Sequence, residues 1–278
     1  MRIHLVAIDL DGTLLNSAKQ ITDTTAAILR TVRKTSGVHI VLASARPPRS
    51  VMPFYRLLDL DTPMINYNGA LVWQPQGGLV LMHRPIPAPT AEAIVKFART
   101  RYPQVVVSAE ILDKWYTDRV DARYLTETAR QCGPDCVAPL EQWLSQSVTK
   151  LLLLGEDGPL VQLERDIRTT FPHQVTMVQT EGYLLQIMHA TVSKAAALKR
   201  VAADLGTGVE HVMAIGDNAN DVGMLRWAGV GVAMANACPQ ALAAADYVTD
   251  HHDIDGAAHA IRRIILDGLT VQKRRKGR

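Results

Sequence analysis

IHLVAIDLDGTL, residues Ile3–Leu14, joins a short apolar run to a loop that carries two carboxylates. The run Ile3–Ile8 is rich in Ile, Leu and Val, which is typical of a buried strand in a parallel sheet. Asp9 and Asp11 follow at once, and side chains two residues apart in an extended chain point to the same side. Ligands of parallel sheets bind beyond the carboxyl ends of the strands, so we expect a site at this loop. The alternative is a plain turn, because Asp-Gly is a common turn dipeptide.

Other apolar runs alternate with helical patterns along the rest of the chain. Such alternation is typical of a parallel sheet covered by helices, and it predicts an α/β fold. The further strands predicted for this sheet are Val38–Leu42, Pro63–Asn66, Val212–Ile215 and Val230–Val232, and its helices include Thr22–Thr35, Ser193–Leu205 and Gly256–Leu266.

The segment 83–188 has its own set of helices and strands. It is too long for a loop within a compact sheet, so it predicts an inserted second α/β domain with hinges near residues 83 and 189. Residues 1–82 and 189–278 then form the first domain. The predicted elements of the insert are the helices Thr90–Arg101, Asp118–Gln131 and Pro159–Thr170 and the strands Val105–Val107, Lys150–Leu154, Val175–Gln179 and Leu184–Met188.

Composition excludes several classes of protein. With 47% hydrophobic and 21% charged residues over 278 positions, the chain is neither disordered nor fibrous. No run of 18 apolar residues predicts a membrane span, and the apolar run after Met1 is too short for a signal peptide. Three cysteines do not make a disulfide framework and favour a reducing compartment, so we expect a cytoplasmic protein. The net charge of +3 is concentrated in the basic tail 273–278, which we interpret as solvated rather than as a nucleic-acid arm.

A second acidic loop, Gly216–Asp221, follows the predicted strand Val212–Ile215. Asp221 has a simple structural alternative, a carboxylate that stabilises the start of a helix. Two acidic loops at strand ends are harder to explain that way, because two carboxylates 4 Å apart repel by about 4 kcal/mol at an effective dielectric constant of ~20. A divalent cation relieves this repulsion, and Mg²⁺ commonly takes a few carboxylates together with water and a phosphate.

Two further residues suit a phosphate group. Ser44 follows the second predicted strand, where backbone N–H groups are free at the next turn. Lys194 begins a predicted helix, although a lone lysine on a helix is often only a hydrated surface charge.

Taken in chain order, these motifs resemble the haloacid dehalogenase superfamily, and specifically its Cof-type phosphatases with a large α/β cap. The resemblance extends from residue 3 to about residue 267 and implies a Rossmann-like parallel-sheet core with the insert as cap. The matching motifs are Asp9–Leu14, Ser44 followed by Arg46, Val192–Lys194 and Gly216–Asp221 with Met224 and Leu225, and secondary matches are Asn68–Ala70 and Thr249–Gly256.

Two positions depart from the family pattern. Ala45 stands where the family usually has Gly, which costs little at negative φ but strains the backbone at positive φ. His189 and Ala190 stand where relatives often have Pro-x-Gly, a difference that affects the hinge rather than the chemistry.

The resemblance implies a covalent mechanism. Asp9 attacks phosphorus to form an aspartyl-phosphate, which water hydrolyses, and Asp11 acts as general acid and base. The metal ligands implied are Asp9, the backbone carbonyl of Asp11 and Asp217, with Asp221 acting mainly through water or through Lys194. The residues implied at the phosphate or substrate are Gly12, Ser44, Ala45, Arg46, Asn68, Lys194 and Asn220.

We therefore expect a Mg²⁺-dependent phosphatase of small soluble phosphate monoesters, such as sugar phosphates, pyridoxal phosphate or flavin mononucleotide. The alternatives are a phosphomutase on the same scaffold and a regulatory protein that binds a phospho-ligand. A membrane or nucleic-acid partner is not expected, and the protein is predicted to be a monomer or a homodimer. The cap would complete the substrate pocket and exclude water on closing, with Tyr116, Arg119, Arg123, Tyr183 and Gln186 as candidates.

Two other groups of possible metal ligands carry less weight. Cys132 and Cys136 have no second Cys or His pair at a matching spacing, so a zinc site is not expected. His251 and His252 are interpreted as part of a solvated loop.

Overall fold

The computed structural model of the chain describes residues 2–124 and 132–272. Its strands are β1 (Leu5–Ile8), β2 (His39–Leu42), β3 (Met64–Asn66), β4 (Leu71–Gln74), β5 (Leu79–His83), β6 (Val106–Ile111), β7 (Lys114–Thr117), β8 (Cys136–Val137), β9 (Lys150–Leu154), β10 (Val175–Glu181), β11 (Leu184–His189), β12 (Val212–Gly216), β13 (Val230–Ala233) and β14 (Tyr247–Val248). Its α-helices are α1 (Asp23–Ser36), α2 (Pro48–Leu57), α3 (Ala88–Arg101), α4 (Asp157–Thr170), α5 (Lys194–Asp204), α6 (Val222–Trp227), α7 (Pro239–Ala244) and α8 (Gly256–Ile261).

The first predicted strand lies inside a five-stranded parallel sheet with the order β14-β13-β12-β1-β2. All four residues of β1 are fully buried, as expected for a strand covered on both faces. The α/β fold class with a parallel-sheet core is therefore confirmed. The predicted strand Pro63–Asn66 belongs elsewhere: β3 pairs in antiparallel fashion with β4 and reaches the parallel sheet only through a single bridge between Ala43 and Ile65.

The helix α1 illustrates why the sequence forms these elements. Thr22 is its N-cap, and its hydroxyl accepts a hydrogen bond from the Thr25 backbone N–H. Gly37 ends the helix in the left-handed conformation, at φ 65°. Between the two caps, apolar side chains at helical spacing are buried against the sheet, as Leu29 and Val32 show. The predicted helix Gly256–Leu266 is α-helical as far as Ile261 and then continues as a short π-helical turn.

The described residues divide into two compact units: the chain up to Met82 together with the chain from Ser193, and His83–Val192. The sequence predicted an insert over 83–188 with hinges near residues 83 and 189. In the structure, β11 extends to His189, and Ala190 donates its N–H to the Gln174 carbonyl inside the second unit.

The second unit is built on a six-stranded sheet with the order β10-β11-β9-β6-β7-β8. Alternate residues such as Leu151, Leu153 and Leu185 pack with apolar side chains of α3 and α4 in one buried core. The predicted helix Asp118–Gln131 is absent over residues 118–124, and 125–131 lie outside the described residues. Asp118 does not begin a helix; its carboxylate instead accepts a hydrogen bond from the Val107 N–H and forms an ion pair with Arg99.

Among the described residues, no helix combines the length and the apolar character that crossing a membrane requires.

Candidate active site

Two acidic loops leave the parallel sheet side by side. Strands β1 and β12 are parallel neighbours, with Ile8 paired to Ile215, and the Asp9 N–H donates to the Ile215 carbonyl at 3.1 Å. The next residues of both strands therefore enter the same space. This arrangement brings together the carboxylates that the sequence placed at two strand ends.

Asp9, Asp217 and Asp221 form a carboxylate cluster, with one oxygen from each within 4.8 Å of the others. Asp221 is fully buried and Asp9 is 6% exposed. The Thr13 hydroxyl donates to Asp217 Oδ1 at 2.8 Å and so fixes the third carboxylate. Gly12 is required beside it, because its φ is 79° and a Cβ there would lie 2.5 Å from Asp217 Oδ2.

Lys194 supplies the positive charge of the cluster. Its Nζ lies 2.5 Å from Asp9 Oδ1 and 2.7 Å from Asp221 Oδ1, and its side chain is completely buried. Ser193 caps the helix α5 by accepting the Ala196 N–H, which places Lys194 in the first turn. The alternative of a hydrated surface lysine is therefore wrong.

Asp221 has two structural partners besides this lysine. Its Oδ2 accepts the backbone N–H groups of Asp217 and Asn218, both at 3.0 Å. Together with Asn218 it forms a capping box at the short helical turn Ala219–Asp221. Asp221 thus shapes the acidic loop with one oxygen and contacts Lys194 with the other.

The electrostatics of the cluster favour an additional cation. Burial raises the pKa of Asp9 well above its usual range, and Lys194 only partly offsets this effect. Burial also raises the pKa of Asp217. The pKa of Lys194, which burial alone would lower, is raised by Asp221 and Asp9. Three carboxylates face one ammonium, and their oxygens are the hard ligands that a divalent ion prefers, so the donor set fits such an ion.

The side chain of Asp11 has a different environment from the one its spacing suggested. Instead of facing the cluster with Asp9, it accepts two hydrogen bonds from the Arg46 guanidinium, Nε to Oδ2 and Nη2 to Oδ1, both at 2.6 Å. Lys19 Nζ also lies 2.9 Å from Oδ1. Burial would raise the pKa of Asp11, but its contacts with Arg46 and Lys19 outweigh burial and lower it.

Ser44 and its neighbours form the loop after β2. Ser44 is 1% exposed, and its Oγ accepts the Arg46 N–H at 3.1 Å, which leaves the hydroxyl proton free to donate elsewhere. Ala45 is not among the residues with positive φ, so alanine fits here without strain. The resemblance assigned Arg46 to the phosphate or substrate. In the structure its guanidinium donates two hydrogen bonds to Asp11.

A strained turn lies beside this loop. Tyr67 and Asn68 have φ values of 50° and 56°, which are uncommon for residues other than glycine. Asn68 donates its N–H to the Ser44 carbonyl, and its Oδ1 accepts from Asn220 Nδ2 at 2.9 Å. Asn220 Oδ1 is buried without a hydrogen-bond partner, as expected for a group that a ligand or its water would complete.

Sequence reasoning missed a group of hydrogen bonds that supports the segment after β1, which we call the brace. Asn236 Nδ2 donates to the Gly12 carbonyl at 2.8 Å, and Asn236 Oδ1 accepts the His252 N–H. Asp253 accepts both the N–H and the hydroxyl of Ser17.

His251, His252 and Asp253 lie close enough to share an ion. However, these contacts already occupy Asp253, and His252 Nδ1 lies 2.8 Å from the Leu15 carbonyl. The acid-rich stretch Thr249–Gly256 was the only sequence signal for this brace.

The candidates in the second unit have varied environments. Arg119 donates to the carbonyls of Gln104 and Val105, and Arg123 pairs with Asp121. The Tyr116 ring packs against the Trp143 ring, with 6.2 Å between the two ring centroids. Gln186 is buried and accepts from Lys150 Nζ at 3.1 Å.

Comparisons with known proteins match nearly the whole chain. A family model described as haloacid dehalogenase-like hydrolase matches residues 6–261. The Bacillus subtilis protein YxeH is 31% identical over 276 residues, covering 94% of this chain and 98% of its own. The 5-amino-6-(5-phospho-D-ribitylamino)uracil phosphatase YitU of Bacillus subtilis is 27% identical over 262 residues, covering 93% of this chain and 96% of its own.

Solved structures match over the same extent. A haloacid dehalogenase-like hydrolase from Bacteroides thetaiotaomicron has a TM-score of 0.86 at 28% identity, over 95% of this chain and 100% of its own. TM0651 from Thermotoga maritima has a TM-score of 0.84 at 26% identity, over 98% and 99% of the two chains. With the family model matched along most of its length, the chain belongs to the haloacid dehalogenase-like hydrolases.

Proposed function

We propose that this enzyme is a Mg²⁺-dependent phosphatase that hydrolyses small phosphate monoesters through an aspartyl-phosphate on Asp9. Its family and its relatives make it a phosphatase. The observation that carries the rest is the buried Lys194 shared by Asp9 and Asp221 beside Asp217. A surface-binding or structural role would not require a buried lysine between two carboxylates.

The residues of the cluster suit a magnesium ion. Asp9, Asp217 and the backbone carbonyl of Asp11 would hold it, and Asp221 would act through water or through Lys194. The ion would supply positive charge that reduces the repulsion between the Asp9 carboxylate and a phosphate dianion. Lys194 contributes to the same end, because its ammonium is fixed 2.5 Å from Asp9 Oδ1 before any substrate arrives.

In the first step the Asp9 carboxylate attacks phosphorus and the ester oxygen leaves. In the second step water attacks the phosphoryl group and the electron pair of the broken P–O bond returns to Asp9. Asp11 is proposed to donate a proton to the leaving oxygen and later to take one from the attacking water, which requires its carboxylate to turn toward Asp9 from its contacts with Arg46 and Lys19. Ser44, Asn68 and Asn220 lie on three loops, which follow β2, β3 and β12, and are proposed to bind the phosphate oxygens. The backbone at Gly12, Ala45 and Arg46 is proposed to contribute to the same pocket.

The second unit, His83–Val192, is proposed to act as a cap that determines substrate choice. Ser108, Glu110, Lys150 and Gln186 are all buried. They alternate along their strands with the side chains of the helix-covered core, so they lie on the opposite face of the sheet. This row of hydroxyl, carboxylate, ammonium and amide groups is suited to a hydroxyl-rich leaving group such as a sugar. The three free cysteines support a cytoplasmic location for this activity.

The test is a panel of phosphate monoesters assayed for release of inorganic phosphate, with and without Mg²⁺. Sugar phosphates, pyridoxal phosphate and flavin mononucleotide are included, and Asp9→Asn is the control for contaminating activity. Release of phosphate without a bisphosphate activator supports a phosphatase and counts against a phosphomutase. Binding of these esters without any turnover would leave the regulatory alternative.

A further inference from the structure

Gly12 lies between two parts of the proposed metal site. The peptide before it carries the Asp11 carbonyl proposed for the metal, and the peptide after it leads to Thr13, whose hydroxyl donates to Asp217 Oδ1. A larger residue does not fit, because the φ of Gly12 is 79° and a Cβ would lie 2.5 Å from Asp217 Oδ2. Glycine adopts many other conformations at little cost, so it does not hold this one by itself. Contacts from outside the loop therefore matter for its shape.

Asn236 makes such a contact from the turn 234–238, which follows β13. Its Nδ2 donates to the Gly12 carbonyl at 2.8 Å, and its Oδ1 accepts the His252 N–H at 3.1 Å. A carbonyl only accepts and a backbone N–H only donates, so these two partners fix which way the amide points. His252 is in turn held through its Nδ1, which lies 2.8 Å from the Leu15 carbonyl. Asn236 is thus a fixed donor for the Gly12 carbonyl.

The same turn is also bonded to the second acidic loop. The Met234 N–H donates to the Gly216 carbonyl at 3.2 Å, and the Cys238 N–H donates to the Asp217 carbonyl at 2.8 Å. The turn therefore contacts the backbone of both loops that carry the carboxylate cluster. The side chain of Asn236 links it to the first loop, and its own backbone links it to the second.

We propose that Asn236 is a positioning residue for the metal site, which holds the backbone at Gly12 in register with Asp217 so that both loops can bind one divalent ion. The inference rests on the proposed function, because it concerns the magnesium ion of that reaction. Mg²⁺ requires nearly ideal octahedral geometry, whereas Ca²⁺ accepts longer and more variable bonds. Asn236 should therefore matter more for the binding of Mg²⁺ than for the binding of Ca²⁺.

The experiment titrates metal-free protein with MgCl₂ or CaCl₂ at constant ionic strength and without substrate. The rise of Tm with ion concentration gives the Kd of each ion. Asn236→Ala should weaken Mg²⁺ binding by about tenfold or more, the usual effect of losing a group that orients a metal ligand. The Kd of Ca²⁺ should rise by less than about threefold, because its coordination adapts to a looser site.

A role in stability alone would give a different result. Asn236→Ala would then lower the Tm of the metal-free protein, but the Kd of both ions for the folded protein would stay the same. Gln74→Ala is the matched control, because its Nε2 donates to the Asp61 carbonyl at 3.0 Å, a bond of the same kind outside the two acidic loops. It should leave both Kd values unchanged. If Asn236→Ala does not fold, Asn236→Ser takes its place, since a serine hydroxyl is too short to reach both Gly12 and His252.

An unchanged Mg²⁺ affinity in the Asn236 variant, or an equal loss for Mg²⁺ and Ca²⁺, would overturn the proposal. That result would leave the phosphatase function intact. A wild-type protein that binds no Mg²⁺ would instead refute the metal dependence in the proposed function itself.

Discussion

Lys194 Nζ lies 2.5 Å from Asp9 Oδ1, although the two residues are 185 positions apart in the chain. Lys194 is fully buried, and the neighbouring Asp221 shares the same ammonium. The nucleophile proposed for this enzyme is therefore built into a buried ion network before substrate binds. Removing one member of such a network leaves a buried charge without its partner, which strongly destabilises the fold.

Removing the lysine tests this balance. Lys194→Met should lower the free energy of unfolding by about 3–5 kcal/mol in metal-free protein, because it leaves Asp9 and Asp221 buried without their cation. Urea unfolding measures the loss. Lys199→Met on the same helix α5 is the control, and it should change stability by less than about 0.5 kcal/mol because Lys199 is exposed. A loss below about 1 kcal/mol for Lys194→Met would show that the network contributes little to stability.

Replacing the nucleophile should separate folding from activity. Asp9→Asn keeps the volume of the side chain but cannot form an aspartyl-phosphate. We expect turnover below a few per cent of the wild-type rate, with an unchanged circular-dichroism spectrum. An Asp9→Asn enzyme that retained a substantial rate would require another nucleophile.

Metal binding should depend on pH. Burial raises the pKa of Asp9 and Asp217, so the folded metal-free chain binds protons that the unfolded chain releases above pH ~4. These two groups therefore make the metal-free fold less stable as pH rises through their raised pKa values. Mg²⁺ binds the ionised carboxylates, so it should raise Tm more at pH 7.5 than at pH 5.5.

The size of that effect follows from linkage. At about 100 times its Kd, Mg²⁺ should raise Tm by on the order of 5 °C. Asp217→Asn should reduce the shift in Tm strongly, whereas Asp61→Asn, which changes an exposed ion pair, should leave it intact.

Activity should require Mg²⁺ or Mn²⁺, and Ca²⁺ should inhibit because its longer bonds misplace the nucleophile. Full activity in excess chelator would contradict the metal role.

Substrate choice should respond to the polar row of the second unit. Gln186→Met removes the amide at similar volume, and it should raise KM for sugar phosphates by about tenfold, as expected for a lost hydrogen bond to the substrate. The rate of aspartyl-phosphate breakdown should not change. Gln162→Met on α4 is the control, because Gln162 is exposed and its amide contacts only Asp166 on the same helix among the described residues. If substitutions along the row leave the ranking of substrates unchanged, the specificity residues lie in the first unit.

The fold could be predicted from the sequence where local pattern and topology agree. The run Ile3–Ile8 and the loop after it predicted both β1 and the position of the carboxylates, because parallel strands end at the same edge. Lys194 was singled out by its place at the start of a predicted helix, and the family resemblance implied its role at the phosphate. Its complete burial could not be read from the sequence, since it depends on two carboxylates that approach from other loops.

The side chain of Asp11 shows why other features could not be predicted. Its spacing from Asp9 suggested a shared direction, but Arg46 and Lys19 from two other turns hold it elsewhere. The alternation rule applies to extended strands, and the chain turns at Gly12 just after Asp11. The small sheet of β3, β4 and β5 was missed for a similar reason, because its short antiparallel pairings are tertiary rather than periodic.

The most direct test of the mechanism is the mass of the Asp11→Asn enzyme after reaction with p-nitrophenyl phosphate. Asn keeps the backbone carbonyl proposed for the metal but cannot accept a proton from water, and general acid–base assistance is typically worth 10²–10⁴-fold. Formation of the aspartyl-phosphate should therefore outrun its hydrolysis. We expect a mass increase of about 80 Da, the size of an added phosphoryl group, located on Asp9 by peptide mapping. No added mass, together with equal losses of rate for p-nitrophenyl phosphate and for a sugar phosphate, would contradict it.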